Sequence, residues 1–256
     1  MPVQVSSEAV LPNAIVDIVN KYGKSRTCRV FMDAGSQMIA MKAPCDKYDK
    51  MFEQMRVSPE ILELEANHKN LMDYLTEHTG QNITNIEGVE DIYNTLEIEE
   101  LNNLTLPTWV NETLMETMRV LAARNLALYS ETQYMQRVKG GVLVKNIIDS
   151  MERILKGEQE PRLYLYSGHD ITLVHILRTL QLVGTSLKPS FGASLIFELY
   201  SNGGVKMIYR DSWDGNPEIL EPYECSSPCD LQRFRNSLEA VLPSNWKQEC
   251  ELKSGY

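Results

Sequence analysis

The sequence has no long apolar run, and it is short of positive charge. No apolar stretch in its 256 residues approaches the about 18 residues that a membrane-spanning helix needs. Lysine and arginine number 25 against 35 acidic residues, which gives a formal net charge of −10. That charge repels polyanions, so nucleic acid is not the expected partner. A local positive pocket on an acidic protein can still bind a small phosphorylated substrate.

The chain also lacks the C-x₂-C pairs that are typical of zinc sites. Its five cysteines are Cys28, Cys45, Cys225, Cys229 and Cys250. The segment CSSPC at 225–229 has a spacing that fits a local disulfide around a proline turn, with a zinc knuckle as the rival interpretation. Three glycosylation sequons begin at Asn82, Asn103 and Asn111. Their clustering in one third of the chain, together with the cysteines, favours an oxidising, secretory compartment.

No secretory signal peptide is visible at the start of the sequence. The segment MPVQVSSEAVLPNAIVDIVNKYG has no basic beginning followed by an unbroken apolar core. This contradicts the secretory interpretation. We therefore expect either a cytosolic protein or a sequence whose true beginning is missing.

Helical periodicity dominates residues 45–157. A helix is predicted from Ser58, a capping residue followed by Pro59, to Gly80. Its apolar stripe recurs at helical spacing through Ile61, Leu64, His68, Leu71 and Leu75. Three further helices are predicted around residues 89–96, from 108–111 to 128, and from 140 to 157.

Strand patterns follow this helical part. RLYLYS at 162–167 alternates and is rich in residues that favour strands, and residues 171–182 return to a helical pattern. ASLIFELYSNGGVKMIYR at 193–210 predicts a hairpin, because two alternating runs flank a Ser-Asn-Gly-Gly turn. The whole pattern indicates a helical module beside part of an α/β sheet.

Gly168, His169 and Asp170 lie between the predicted strand and the next predicted helix. Open α/β sheets bind ligands at such positions, and a helix N-terminus attracts anions. A protonated His169 adds charge and a donor, and Asp170 can give a proton to a leaving group. A small anionic substrate is therefore a reasonable expectation at this junction.

Two other interpretations of the doublet remain open at this stage. Asp170 can simply cap the helix while His169 packs. Alternatively, the doublet and the nearby His175 can belong to a two-metal phosphohydrolase, although such doublets lie within a helix. His68 and His78 fall on or near helix stripes and are expected to be core or boundary residues.

Several segments resemble the histidine acid phosphatases, the branch of the histidine phosphatase superfamily that includes the prostatic and lysosomal acid phosphatases. The resemblance covers roughly residues 35–250, in the family's order and spacing. It is carried by YLYSGHDITL, NLTLPTW, VKGGVLVKNII, FELY, CSSPCDLQRF and NWKQEC. It implies an α/β fold, with a partial histidine-phosphatase-like sheet core and an inserted mainly helical domain.

The resemblance also implies roles for individual residues. His169 matches the histidine that helps to hold the phosphoryl group, and Asp170 matches the proton donor to the leaving alcohol. Disulfides are implied between Cys225 and Cys229 and between Cys45 and Cys250, with Cys28 left over. No cofactor or metal is implied. Dimerisation is common in the family, so a homodimer is a candidate assembly.

The resemblance gives three segments: an atypical N-terminal segment at 1–40, a helical cap domain at 41–138, and the C-terminal part of the phosphatase core at 139–256.

The family's nucleophile is a different histidine, in an Arg-His-Gly motif after the first strand. That motif does not occur in this sequence. We therefore expect an incomplete N-terminus or a gene that has lost its first part. Residues 1–40 are not expected to replace the missing strands and, if misassigned, should be disordered or loosely packed.

The sequence thus predicts an acid phosphatase that hydrolyses phosphate monoesters through a phosphohistidine, while these 256 residues alone are predicted to be inactive. An extracellular or lysosomal location follows from the family. The alternative is a non-catalytic paralogue that keeps the fold and an anion pocket. Retention of Gly168-His169-Asp170 counts modestly against that alternative, because an idle site has no need of the acid.

Overall fold

The computed structural model describes the backbone of residues 14–19 and 25–31. It describes residues 44–182, 184, 187–222 and 224–251 with their side chains. The rest of the segment 1–40 and the side chain of Cys28 lie outside the described residues.

Helices form most of residues 44–182, as the periodicity predicts. The described residues contain helices α1 (Asp46–Arg56), α2 (Pro59–Asn67), α3 (Lys69–Thr79), α4 (Ile86–Leu101), α5 (Glu112–Leu128), α6 (Gln133–Val138), α7 (Gly140–Leu155), α8 (Asp170–Thr179), α9 (Leu231–Ser237), α10 (Trp246–Cys250) and a short 3₁₀ helix (Glu239–Val241). Within this part of the chain, none of the helices combines the length and apolarity needed to cross a membrane.

The helix predicted from Ser58 to Gly80 is two helices in the structure, α2 and α3, which meet at His68. The reason is local competition for a carbonyl group. The ring Nδ1 of His68 lies 2.8 Å from the carbonyl oxygen of Leu64, and the His68 backbone N–H already donates to that oxygen at 3.2 Å. The predicted ends are confirmed: Ser58 is the N-cap of α2, and Gly80 ends α3 at a φ of 72°.

Two asparagines cap the central helices of this part. The side chain of Asn85 accepts a hydrogen bond from the backbone N–H of Gly88 at 2.9 Å, and Asn111 accepts one from Leu114 at 2.9 Å. Each satisfies one of the N–H groups that the first turn leaves free. Both helices bury a face in a shared apolar cluster, whose innermost members are Ile61, Leu75, Val89, Met118 and Leu121.

The strands form two small sheets. They are β1 (Ala14–Val19), β2 (Ser25–Phe31), β3 (Tyr164–Tyr166), β4 (Ser194–Leu199), β5 (Val205–Arg210) and β6 (Glu218–Leu220). The first sheet has the order β1-β2-β3, and the second has the order β4-β5-β6. The predicted hairpin is confirmed, since β4 and β5 pair antiparallel from Ser194 opposite Arg210 to Leu199 opposite Val205.

The expectation that residues 1–40, if misassigned, are disordered or loosely packed lies mostly outside the described residues, which include only β1 and β2 of that segment. Their backbones pair with each other, and β2 runs parallel to β3, with Phe31 opposite Tyr166. Strand β2 thus pairs with the N–H and C=O groups that the edge of β3 presents.

Close packing of α7 against its neighbours organises the second part of the chain. A Cβ at Gly140 would clash with the backbone of His175 in α8, and one at Gly141 would clash with the carbonyl of Val241. Glycine is therefore required where these backbones meet. A second apolar cluster surrounds this contact, with Leu143, Ile148, Leu180, Met207 and Phe234 at its centre.

Both disulfides implied by the resemblance are present. Cys225 is bonded to Cys229, and Cys45, which precedes α1, is bonded to Cys250 at the end of α10. Cys45 and Cys250 are buried beside Tyr48, Met135 and Val138 in a third apolar cluster. The covalent bond therefore joins the first helix of this region to the last.

An ion pair beside this disulfide predicts how stability depends on pH. Two Arg137 nitrogens bond Glu249, at 2.6 and 3.0 Å, and the N–H groups of Ser244 and Asn245 donate to the same carboxylate. These bonds, chiefly those from Arg137, lower the pKa of Glu249 from 4.5 to about 2 against an opposing effect of burial. The group therefore stabilises the fold above pH 4.5, and this contribution is lost as pH falls through about 2.

We expect Glu249→Gln to lower the free energy of unfolding by about 1–2 kcal/mol at pH 6, a figure reduced for solvent screening near the surface. The deficit should shrink as pH falls from 4.5 and vanish near pH 2. Urea unfolding at several pH values measures it, with the exposed Glu251→Gln as the control. A deficit that does not change with pH would show that the carboxylate charge is not involved.

Candidate active site

The Gly168-His169-Asp170 junction lies where the sequence predicts it. Strand β3 ends at Tyr166, and α8 begins at Asp170 with His169 as its N-cap residue. The backbone N–H of His169 donates to Thr172 Oγ1 at 3.3 Å. The doublet thus lies at a helix N-terminus and not within a helix, which removes the geometry that the two-metal interpretation requires.

Asp170 is the first residue of α8 and not its cap. Its Oδ1 accepts a hydrogen bond from the N–H of Ile171 at 2.7 Å, and its Oδ2 accepts one from Lys188 Nζ at 2.6 Å. The Asp170 side chain keeps 32% of its surface exposed, whereas that of Lys188 keeps 4%. His169 is exposed. Asp170 therefore satisfies a first-turn N–H from the position after the cap, and His169, which is exposed, is the N-cap residue itself.

A cavity of about 1050 Å³ opens in front of the doublet. His169, Asp170 and Lys188 lie on one wall, and apolar side chains of α7 and β4 such as Met151, Ile154 and Phe197 form others. A charged corner in a mostly apolar cavity is typical of sites for small ligands. This corner presents His169 and the positive N-terminal end of α8 to an anion.

A buried carboxylate from the helical part of the chain approaches the same corner. Glu90 of α4 is 9% exposed, and Asn125 of α5 donates to its Oε2 at 2.6 Å. Burial raises the pKa of Glu90, while the Asn125 hydrogen bond and the charge of Lys188 lower it and that of Asp170 raises it. Glu90 is therefore close enough to sense both members of the Asp170–Lys188 pair.

The remaining histidines lie away from the cavity wall. His175 is buried in α8, and its Nδ1 has no hydrogen-bond partner among the described residues. Burial lowers its pKa to about 3, so it stays neutral. His68 is half-buried at the break between α2 and α3, as expected of a boundary residue, whereas His78 is exposed and stacks on Trp109 with ring centroids 5.3 Å apart.

Sequence reasoning missed Lys188 and Glu90. Neither residue belongs to a recognisable motif, and Lys188 lies 18 positions after Asp170, beyond the end of α8. Glu90 is an acidic residue beside Val89 on the buried stripe of α4. Its position on that apolar face is the one sequence signal that could have identified it.

Comparison with known proteins places these features in a family context. The family model described as histidine phosphatase superfamily (branch 2) matches residues 20–213. The chain is similar to the lysosomal acid phosphatase of Homo sapiens, with 30% identity over 220 residues that cover 83% of this chain and 52% of that protein. It is also 30% identical to the prostatic acid phosphatase of Rattus norvegicus over 213 residues, which cover 80% of this chain and 56% of that one.

A solved structure, the phytase from Citrobacter braakii, superposes with a TM-score of 0.50 at 17% identity. The match covers 66% of this chain and 50% of the phytase chain. At that identity the likeness concerns the fold alone. The chain spans about half the length of the curated relatives that it matches.

Proposed function

This chain belongs to branch 2 of the histidine phosphatase superfamily, and we propose that it carries the helical module and the proton-donating half of an acid phosphatase for phosphate monoesters. The observation that carries the proposal is the placement of His169 and Asp170 at the N-terminus of α8, facing a large cavity. The division into residues 1–40, 41–138 and 139–256, and a homodimer, remain predictions.

In this proposal His169 and the positive N-terminal end of α8 hold the phosphoryl group. A ring N–H donor and a positive helix end both favour an anion. Asp170 gives a proton to the leaving alcohol, which would otherwise depart as an unstable alkoxide. The apolar walls of the cavity exclude water from the charged corner and strengthen these electrostatic contacts.

The covalent step needs a histidine nucleophile, which attacks phosphorus and divides the displacement into two easier steps. The resemblance to the family implies that this histidine lies in an Arg-His-Gly motif. The four histidines of this sequence stand in Asn-His-Lys, Glu-His-Thr, Gly-His-Asp and Val-His-Ile. We infer that these 256 residues alone bind phosphate but do not turn over phosphate monoesters.

The purified chain is therefore expected to bind inorganic phosphate and to leave p-nitrophenyl phosphate unhydrolysed. His169→Ala should weaken phosphate binding about tenfold, the loss expected for one charge-assisted hydrogen bond. Calorimetry gives the affinity, and release of p-nitrophenolate gives the activity. His78→Ala, at an exposed histidine far from the doublet in sequence, is the control.

Two results would contradict this proposal. Hydrolysis that disappears in Asp170→Asn would mean that the chain contains its own nucleophile. Phosphate binding that is unchanged in His169→Ala would remove that histidine from the anion site.

The second candidate is a non-catalytic paralogue that keeps the fold and an anion pocket. Sequencing the 5′ end of the transcript separates the two. An upstream exon that encodes a signal peptide and Arg-His-Gly supports the enzyme, whereas a stop codon just before Met1 supports the paralogue. For the enzyme we propose a lysosomal or secreted location, supported by the two disulfides and by the relatives' names.

A further inference from the structure

Lys188 is a buried cation at the wall of the cavity. Its side chain is 4% exposed, and its ammonium group lies 2.6 Å from Oδ2 of Asp170. A buried ammonium group is costly unless a negative charge compensates it. The two side chains differ in exposure. That of Lys188 is buried, whereas about a third of the Asp170 side chain is accessible at the cavity that both residues line.

Helix α5 contacts the backbone of Lys188. Nη2 of Arg119 in α5 donates to the carbonyl oxygen of Lys188 at 3.1 Å, which fixes the backbone. Asp170 is bonded to the ammonium, and Glu90, which Asn125 holds at 2.6 Å, also interacts with Lys188 through its charge. The flexible stem of Lys188 can therefore move its charge while its backbone stays in place.

We propose that Lys188 is a phosphate-binding residue, which Asp170 holds in the empty site and releases to the phosphoryl group of an entering monoester. This inference rests on the proposed function, because it takes the cavity to be a phosphate monoester site. It adds to that function a cation from a segment outside the Gly-His-Asp motif.

Elementary electrostatics supports the exchange. A phosphate monoester dianion carries two negative charges, whereas the Asp170 carboxylate carries one, so the ammonium gains attraction by turning to the phosphoryl oxygens. His169 and the N-terminus of α8 lie at the same corner and favour the same anion. Oδ2 of Asp170 is then no longer bonded to the ammonium and is available for the proton transfer of the proposed function. There the nucleophilic histidine forms the P–N bond as the P–O bond breaks, and the leaving oxygen takes the proton from Asp170 and departs as the alcohol.

The rival explanation is a purely structural ion pair. In that case the role of Asp170 is to neutralise Lys188, and Asp170→Asn would destabilise the fold without improving anion binding. In our proposal Asp170 competes with the anion for Lys188, so the same substitution should improve anion binding. Because loss of the Asp170 charge also reduces its repulsion of a nearby anion, the decisive result is whether the gain disappears when Lys188→Met is added.

The experiment measures inorganic phosphate binding to the chain by calorimetry at low salt. Lys188→Met should weaken binding about tenfold, and Asp170→Asn should strengthen it several-fold. The double variant should lose the gain of Asp170→Asn. Lys188→Arg, which keeps the charge, should retain most of the affinity.

A matched control comes from Lys145 and Asp149, which pair at 2.5 Å on α7 and are not among the residues that line the cavity. Lys145→Met and Asp149→Asn should leave phosphate affinity unchanged. Thermal unfolding of every variant separates loss of binding from loss of the fold. If Lys188→Met does not fold, Lys188→Gln, which removes the charge and keeps a polar end, takes its place.

If His169→Ala weakens phosphate binding while Lys188→Met does not, the proposed role of Lys188 is wrong and the proposed anion site stands. That role is likewise wrong if Asp170→Asn fails to strengthen binding. If the unaltered chain binds no phosphate, this inference and the proposed anion site both fail.

Discussion

Asp170→Asn is expected to slow cleavage of alkyl phosphates by about 10²–10⁴-fold in a complete enzyme that contains these residues together with the nucleophile motif. An alkoxide is a poor leaving group unless it receives a proton as the ester bond breaks. Asparagine keeps the shape of the side chain and its contact with the Ile171 N–H, but it has no acidic proton to give.

The effect should depend on the leaving group. p-Nitrophenolate departs as a stable anion, so p-nitrophenyl phosphate should lose much less rate than an alkyl phosphate. Single-turnover kinetics with both substrates measures the difference, with Asp73→Asn on the surface of α3 as the control. Equal slowing of the two substrates would show that Asp170 does not act as a proton donor.

Removal of the Cys45–Cys250 disulfide is expected to cause the largest loss of stability. The two cysteines are 205 positions apart, and a cross-link between distant residues restricts the unfolded chain most. In the chain-entropy model the Cys45–Cys250 bond contributes about 5 kcal/mol to stability. The Cys225–Cys229 bond, whose cysteines are 4 positions apart in sequence, contributes about 2 kcal/mol. Alanine is the suitable replacement, because Cys45 and Cys250 are buried among apolar side chains.

Equilibrium urea unfolding of the two double-alanine variants tests this order. The Cys45→Ala/Cys250→Ala protein should have the lower midpoint, and the Cys225→Ala/Cys229→Ala protein is its control. A similar loss in both variants would mean that lost packing, and not the restriction of the unfolded chain, accounts for the stabilisation.

The sequence predicted those elements whose signals are local. The helix ends at Ser58 and Gly80 depend on capping geometry that neighbouring residues determine, and the β4–β5 hairpin depends on its Asn-Gly-Gly turn. The break at His68 was missed because it comes from a side chain that shares a carbonyl with its own backbone. Periodicity carries no information about that competition.

The candidate site was predictable only in part for a similar reason. His169 and Asp170 are adjacent in sequence and follow a strand, so their placement could be inferred from the motif. Lys188 and Glu90 reach the same corner from a loop and from another helix. Contacts of this kind depend on how the two parts of the chain pack, which no local pattern encodes.

The bond between Cys45 and Cys250 also bears on proteolysis. The segment after β5 contains Trp213, whose side chain is 77% exposed, and exposed loops are preferred sites of cleavage. A single cut in that segment leaves two polypeptides, one with Cys45 and the other with Cys250. They remain one covalent molecule as long as the disulfide is oxidised. In a protease-rich compartment such a nicked, two-chain form can therefore keep α10 docked against the rest of the fold.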